Sequence, residues 1–366
     1  MNKILLITPY TPDNQGAGVS YTSQLLSELS KNYIIDLVYF RYEDDTPFQP
    51  YNSNIRIIRE KVISTKDKIK ALIYKPLIFP LFSARFDKET CEFIKDIANA
   101  DNYKLVYLDF SQTFLYAKYI NHPQIIMMSH DVIAQKYSRM KQYLRPWAMH
   151  TEQRLLKKGT ITFTFSQKDS NLLKQYYGIK SLNTTFFLNK NVQQAFPNAE
   201  SDYFIFFGSW SRRENSEGLE WFLHSVIKSI SKSIKFKIIG GGLPDSLKKL
   251  IDEFDNIEYL GFVENPYPVI ANARAEIAPL FKGAGVKVKC IEALACGTPV
   301  IGTNIAFEGI DEEYHNFFSE AKTPDDYINA ISNLNLSLSE KLKIKRVFMV
   351  SYNNKAILDY IKNFNK

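Results

Sequence analysis

AEIAPLFKGAGVKVKCIEALACGTPVIG, residues 275–302, reads as strand, glycine loop, helix, break and strand. AEIAPL is short and apolar, and Gly283 and Gly285 free the backbone after it. The helix is predicted over VKCIEALAC (288–296), stopped by Gly297 with Pro299 just beyond, and the next strand is PVIG (299–302). Two apolar strands joined by a helix form a parallel crossover unit. The helix N-terminus offers unpaired N–H groups and the positive end of the helix dipole, which together make a phosphate site. Lys287 and Lys289 add charge there. Lys289, nearer the helix start, is the one assigned to a phosphate. Glu292 lies about one and a half turns into the helix. A carboxylate on an otherwise apolar helix is costly without a partner, and it can accept hydrogen bonds from vicinal hydroxyls. A ligand carrying both a phosphate and a hydroxylated ring meets all of these groups.

The same grammar extends in both directions. ILLIT (4–8), IIDLVYF (34–40), IRII (55–58), KLVYLDF (104–110), QIIMMS (124–129), TITFTFS (160–166) and TTFFL (184–188) have the composition of buried strands. SYTSQLLSELSKN (20–32), KETCEFIKDIANA (88–100) and SQKDSNLLKQYYG (166–178) carry helical spacing, the last with Ser166 as N-cap and Gly178 as its stop. Residues 60–90 give no clear assignment. NKNVQQAFPNAESD (189–202) is polar and aperiodic and reads as a linker. The alternation then restarts with YFIFFG (203–208), KFKIIG (235–240), IEYLG (257–261) and, past the opening segment, HNFF (315–318); NNKAILDYIKNF (353–364) is a last helix. The fold class is therefore α/β, two Rossmann-like doubly wound domains facing a cleft. A first domain spans 1–196 and a second 197–350, with a last helix at 351–366. Ligands of such sheets lie beyond the carboxyl ends of the strands.

Composition agrees with two packed cores: 366 residues, 45% of them hydrophobic. No stretch approaches the roughly 20 apolar residues of a spanning helix, and MNKILLITPY reads as a first strand, not a signal peptide. Cys91, Cys290 and Cys296 show no metal-ligand spacing and suit a reducing cytosol. Residues 1–196 hold 26 Lys+Arg against 17 Asp+Glu, whereas 197–366 hold 20 against 22. The positive excess of the first half suits an anionic partner or simply a lysine-rich composition. Its basic residues are not interleaved with aromatics as in a nucleic-acid module, so no nucleic-acid partner is expected.

Two more glycine loops follow strands. Gly16 and Gly18 lie between the first strand and its helix, and GGGLPDSLKKL (240–250) contains Gly241. Neither is a dinucleotide fingerprint: the third glycine is missing after Gly18, and Asp36 opens its strand instead of closing it.

The opening segment resembles the donor-binding signature of glycosyltransferase family 4, retaining enzymes of the GT-B fold that use nucleotide-sugars. FFGSWSRRENSEGLEWFL (206–223), KFKIIGGGLPDSL (235–247), IEYLGFVENPYPVIANARAEIAPL (257–280), SHD (129–131) and FTFSQKDSNLLKQYYG (163–178) resemble further family segments in order and spacing. The resemblance implies roles. Glu292 matches the second glutamate of the family's Glu-x7-Glu pair, the one that binds the ribose. The first would fall at Ala284, so sugar contacts pass to the backbone at Gly285 and Val286. Phe262 and Val263 lie in the segment that contacts the base, and Gly16, Gly18 and Gly241 line the donor loops. The usual diphosphate arginine falls near Ser209, with Arg212 and Arg213 as substitutes alongside Lys287 or Lys289. His130 matches the N-domain histidine near the donor sugar, and Asp13 or Asp131 is a candidate for the acceptor proton.

The activity implied is transfer of a sugar from a UDP- or GDP-linked donor to a glycan or lipid-linked glycan, in bacterial surface polysaccharide synthesis. His130, Arg212, Lys289 and Asp131 are the catalytic candidates. No cofactor or metal is expected, since Asp44-Asp45 and Asp325-Asp326 lie outside a fitting context. The basic first domain, with LIYKPLIFPLF (72–82) and lysines at 66, 68, 70 and 75, implies a cytoplasmic enzyme peripheral on the inner face of the plasma membrane. The alternatives are a nucleotide-sugar epimerase and a non-catalytic nucleotide-sugar-binding subunit.

Overall fold

All thirteen strands of the described residues run parallel to their neighbours, in two sheets. The computed structural model describes residues 1–12, 17–100, 102–198, 200–353 and 355–364. It divides into two compact units, Met1–Phe187 with Asn354–Lys366, and Leu188–Asn353.

In the first unit the strands are β1 (Lys3–Thr8), β2 (Ile34–Arg41), β3 (Ile55–Val62), β4 (Tyr103–Asp109), β5 (Ile125–Ser129), β6 (Ile161–Thr164) and β7 (Ser181–Asn183). Their order in the sheet is β3-β2-β1-β4-β5-β6-β7, so the winding reverses between β1 and β4. Ile4 to Ile7 are all 0% exposed, which is why β1 is an unbroken apolar run. Asp36 is buried in β2 and held by Nε and Nη2 of Arg56 (2.7 Å each) and by the Tyr103 hydroxyl, a structural pairing and not a ribose contact. Helix Lys88–Ala100 forms over the predicted stretch, burying Cys91, Ile94 and Ala98 at helical spacing. Helix Gln167–Tyr177 starts from Ser166, whose hydroxyl accepts from the Asp169 N–H, and stops at Gly178. TTFFL is not a strand; pairing with β6 uses Ser181–Asn183 instead. Residues 60–90 complete β3 and add helices Thr65–Tyr74 and Pro80–Ser83.

In the second unit the strands are β8 (Tyr203–Phe207), β9 (Lys235–Ile239), β10 (Ile257–Gly261), β11 (Glu276–Ala278), β12 (Val300–Gly302) and β13 (Phe318–Glu320). The order β10-β9-β8-β11-β12-β13 repeats the first sheet's winding and reverses between β8 and β11. Its core gathers Phe204, Phe206, Phe222, Phe236 and Tyr327. HNFF is mostly a 3₁₀ turn (Glu312–Phe317), with only Phe318 entering β13.

The stretch 189–202 is no free linker. Val192 and Ala195 are buried, and the Lys345 ammonium donates to their carbonyls at 2.8 and 2.7 Å, which fastens the segment to the second unit. A polar composition hid these two apolar anchors.

Candidate functional site

The switch point of the second unit is built by three loops. Beyond β8, Trp210 is buried; its backbone N–H donates to Gly241 O (2.9 Å) and its indole N–H to Ile239 O (3.1 Å). These bonds draw the loops after β8 and β9 together. Gly240, with φ +121, lies so close that a Cβ there would sit 1.8 Å from the Gly208 carbonyl oxygen. Gly241 faces Phe262 from the loop after β10, and Phe262 is 61% exposed. Val263 is partly exposed beside it.

Helix Arg213–Ser225 begins after β8, and helix Val288–Ala295 after β11, the neighbouring strand. Both therefore start from the two strands that flank the reversal, and their N-terminal N–H groups lack intrahelical partners. Lys289, in the first turn of the second helix, donates to Phe207 O (3.0 Å) and Asn215 Oδ1 (3.1 Å), and Asn215 donates to Ser209 O (2.9 Å). An ammonium is thus fixed at the end of β8, beside the first turn of the helix carrying Asn215.

Lys287 does not join it. As the N-cap residue it turns back on its own loop, donating to Gly285 O (2.6 Å) and Ala284 O (3.2 Å), with Glu308 at 3.8 Å. Gly285 is in the left-handed region (φ 69), which this tight loop requires. Val286 is partly buried in the same loop. Arg212 and Arg213 are exposed, and Arg213 pairs with Glu217 (2.7 Å).

Glu292 is partly buried. Burial pushes its carboxyl up to about 7, although the Tyr267 hydroxyl and the Asn189 N–H both bond to it. Glu276, the first residue of β11, is 0% exposed, and its carboxyl has the weakly donating Cys290 thiol beside it. Burial pushes it up to about 7 as well, with Lys289 pulling the other way. Sequence reasoning missed Glu276, Asn215, Trp210 and Glu308. Only Glu276 had a visible signal, an acid opening an apolar strand.

The first unit has its own cluster at the ends of β1, β4 and β5. His130 Nε2 lies 2.7 Å from Oδ1 of Asp109, which is 0% exposed. Oδ2 of Asp109 accepts from the hydroxyls of Thr22 (2.5 Å) and Thr8 (3.4 Å). Phe110 stacks face to face on the His130 ring at 3.5 Å, and Tyr21 and Phe165 meet that ring edge-on. Asp131 is not the partner of His130: its carboxylate faces Lys136 at 3.6 Å. The neighbouring carboxylate, buried Glu152, accepts from Ile133 N–H (2.9 Å), Ala134 N–H (3.0 Å) and the Tyr177 hydroxyl (2.5 Å), capping helix Ile133–Met140. Gly16 and Asp13 lie outside the described residues, and Gly18 falls within the first turn of helix Ala17–Leu29, not ahead of it.

Two doubly wound units, one with cationic helix termini at its switch point, are the architecture of GT-B proteins. Solved structures agree over the whole chain. Sucrose-phosphate synthase from Thermosynechococcus elongatus has a TM-score of 0.76 at 14% identity, covering 100% of this chain and 98% of that one. Anabaena HepE in complex with UDP scores 0.69 at 10% identity, covering 99% and 100%. WaaG, a glycosyltransferase involved in lipopolysaccharide biosynthesis, scores 0.65 at 13% identity, covering 95% and 94%. The fold is therefore GT-B. Residues 201–335 match the family model described as glycosyl transferases group 1, so the second unit carries a glycosyltransferase domain. No curated protein sequence matches the chain. Among the described residues no helix is long and apolar enough to cross a membrane.

Proposed function

We propose that the protein is a retaining glycosyltransferase that moves a sugar from a UDP- or GDP-linked donor to a glycan or lipid-linked glycan acceptor, in bacterial surface polysaccharide synthesis. The observation that carries this reading is Lys289, held at the end of β8 beside the helix that begins there. In transfer the bond from the anomeric carbon to the β-phosphate oxygen breaks, and the acceptor oxygen bonds to that carbon. Negative charge grows on the leaving diphosphate, where an ammonium and helix N-termini stabilise it. The acceptor proton passes to the leaving phosphate on the same face, which gives retention without a metal. Glu292 takes the ribose hydroxyls, and the exposed Phe262 with Val263 borders the base. The complex of HepE with UDP supports a uridine donor.

The acceptor is met at an anionic membrane surface. Ile69, Leu72, Ile73, Tyr74 and Leu77 are all exposed, with Lys66 and Lys70 on the same helix. The Trp147 indole, donating to Leu77 O (3.1 Å), extends this apolar face. Such a basic, apolar surface suits the inner leaflet of the plasma membrane.

The test is thermal stabilisation by UDP-, GDP-, ADP- and TDP-sugars and the free nucleotides. At a hundredfold excess over Kd the gain is about 2.7 kcal/mol. One nucleotide class is expected to stabilise the wild type and not Glu292→Ala, followed by release of nucleoside diphosphate when acceptor is added. Stabilisation without release would make the protein a binding subunit. No stabilisation by any of them would overturn the donor site.

A further inference from the structure

We propose that Asp109 sets the tautomer of His130, so that Nδ1 presents a lone pair to a sugar hydroxyl. Asp109 is thereby a positioning residue for the proposed transfer, and the inference rests on that reading only for the identity of the hydroxyl. Asp109 cannot donate when ionised, so the 2.7 Å contact requires the proton on His130 Nε2. The two threonine hydroxyls at Oδ2 hold the carboxylate in this orientation. Among the described residues Nδ1 has no hydrogen-bond partner, and the side chain keeps 11% of its surface open.

The ring is clamped as well as oriented. Phe110 adopts φ 61 and ψ 152, a sparsely populated conformation for a residue with a Cβ. Thr113 over-determines it, its backbone N–H and hydroxyl both bonding Phe110 O at 3.0 Å and the hydroxyl also bonding Asp109 O at 2.8 Å. The result is a phenyl ring 10° from parallel on the imidazole, with Tyr10 packed edge-on behind it. Strain spent on holding one imidazole face, beside a buried carboxylate on its edge, is an arrangement that fixes a hydrogen-bond acceptor in space. Partly exposed Phe165 and Phe187 border the same place and suit the apolar face of a hydroxylated ring.

The experiment uses the full chain labelled with ¹⁵N-histidine. There are five histidines, and His130 is assigned by its loss in His130→Gln. At alkaline pH the wild type should show the Nε2–H tautomer at His130. An Nδ1–H form, or an average of both, overturns the proposal without any variant. In Asp109→Asn the amide oxygen keeps the threonine hydroxyls and the NH₂ donates to Nε2, so the tautomer should invert. Release of UDP from UDP-glucose should fall about tenfold or more, the scale of one lost hydrogen bond, with UDP affinity unchanged. A wild-type tautomer in Asp109→Asn, or equal losses of UDP affinity and turnover, refutes it. If the wild type releases no nucleoside diphosphate from any nucleotide-sugar, the transferase reading fails, while the spectrum still decides the role of Asp109.

Discussion

Glu276→Gln isolates the buried carboxyl behind Lys289. In the wild type, burial holds this carboxyl protonated up to about 7, against 4.5 in the unfolded chain. Between those values the native state binds a proton the unfolded chain has released. Its stabilising contribution is therefore complete below about pH 4.5 and is lost as pH rises through about 7. At 1.36 kcal/mol per unit, the loss is about 3 kcal/mol. Glutamine is close in shape to the protonated acid and does not titrate, so the variant lacks this slope. The assay is urea unfolding followed by tryptophan fluorescence, since Trp210 and Trp221 both lie in the second unit. Relative to wild type, the variant should gain about 3 kcal/mol between about pH 4.5 and pH 8. Glu292 titrates in the same range but is present in both proteins. A pH-independent difference would refute the reasoning and mean that Lys289 keeps the carboxylate ionised in the native state throughout.

Gly240→Ala should unfold the second unit or lower its melting point severely, because the new Cβ meets the Gly208 carbonyl at 1.8 Å; a melting curve like wild type would disprove the loop contact. Lys287→Met and Glu308→Leu should be coupled by about 1 kcal/mol in a double-mutant cycle on stability, since both side chains are nearly buried; zero coupling would mean the ammonium serves only the loop carbonyls. Ile73→Asp with Leu77→Asp should abolish co-sedimentation with phosphatidylglycerol vesicles and leave the melting temperature unchanged, both positions being exposed. Tyr177→Phe should destabilise the first unit by about 1–3 kcal/mol, because buried Glu152 loses a donor; calorimetry would read it.

Most strands were legible because each is a short, apolar, β-branched or aromatic run, as in β1 and β8, whereas β7 (Ser181–Asn183) is polar and was passed over for TTFFL. Helix Val288–Ala295 was legible from its stop at Gly297 and Pro299, and its start placed Lys289 in the first turn. What stayed hidden depends on which strands are neighbours. KLVYLDF shows an acid at the end of a buried strand, but nothing in that run says β4 lies beside β5, so Asp109 could not be matched to His130. Asp131, read from the sequence as a candidate for the acceptor proton, faces Lys136. Charge type kept Lys287 beside Lys289 as a candidate for the phosphate, with Lys289 preferred. The loop's carbonyls, invisible in a list of side chains, decided that Lys287 turns inward.

The first unit takes its residues from both sides of the second in the chain, with crossings at Phe187/Leu188 and Asn353/Asn354. Ile357 and Ile361, both 0% exposed, and Tyr360, set against Phe163, belong to its packing. During synthesis the ribosome delivers these residues only after every residue of the second unit. The second unit is thus a contiguous stretch that can close its core as it emerges, whereas the first must wait with part of its apolar surface uncovered. The order of completion is then the reverse of the order in which the units begin, and the exposed interval lengthens with the time taken to translate residues 188–353.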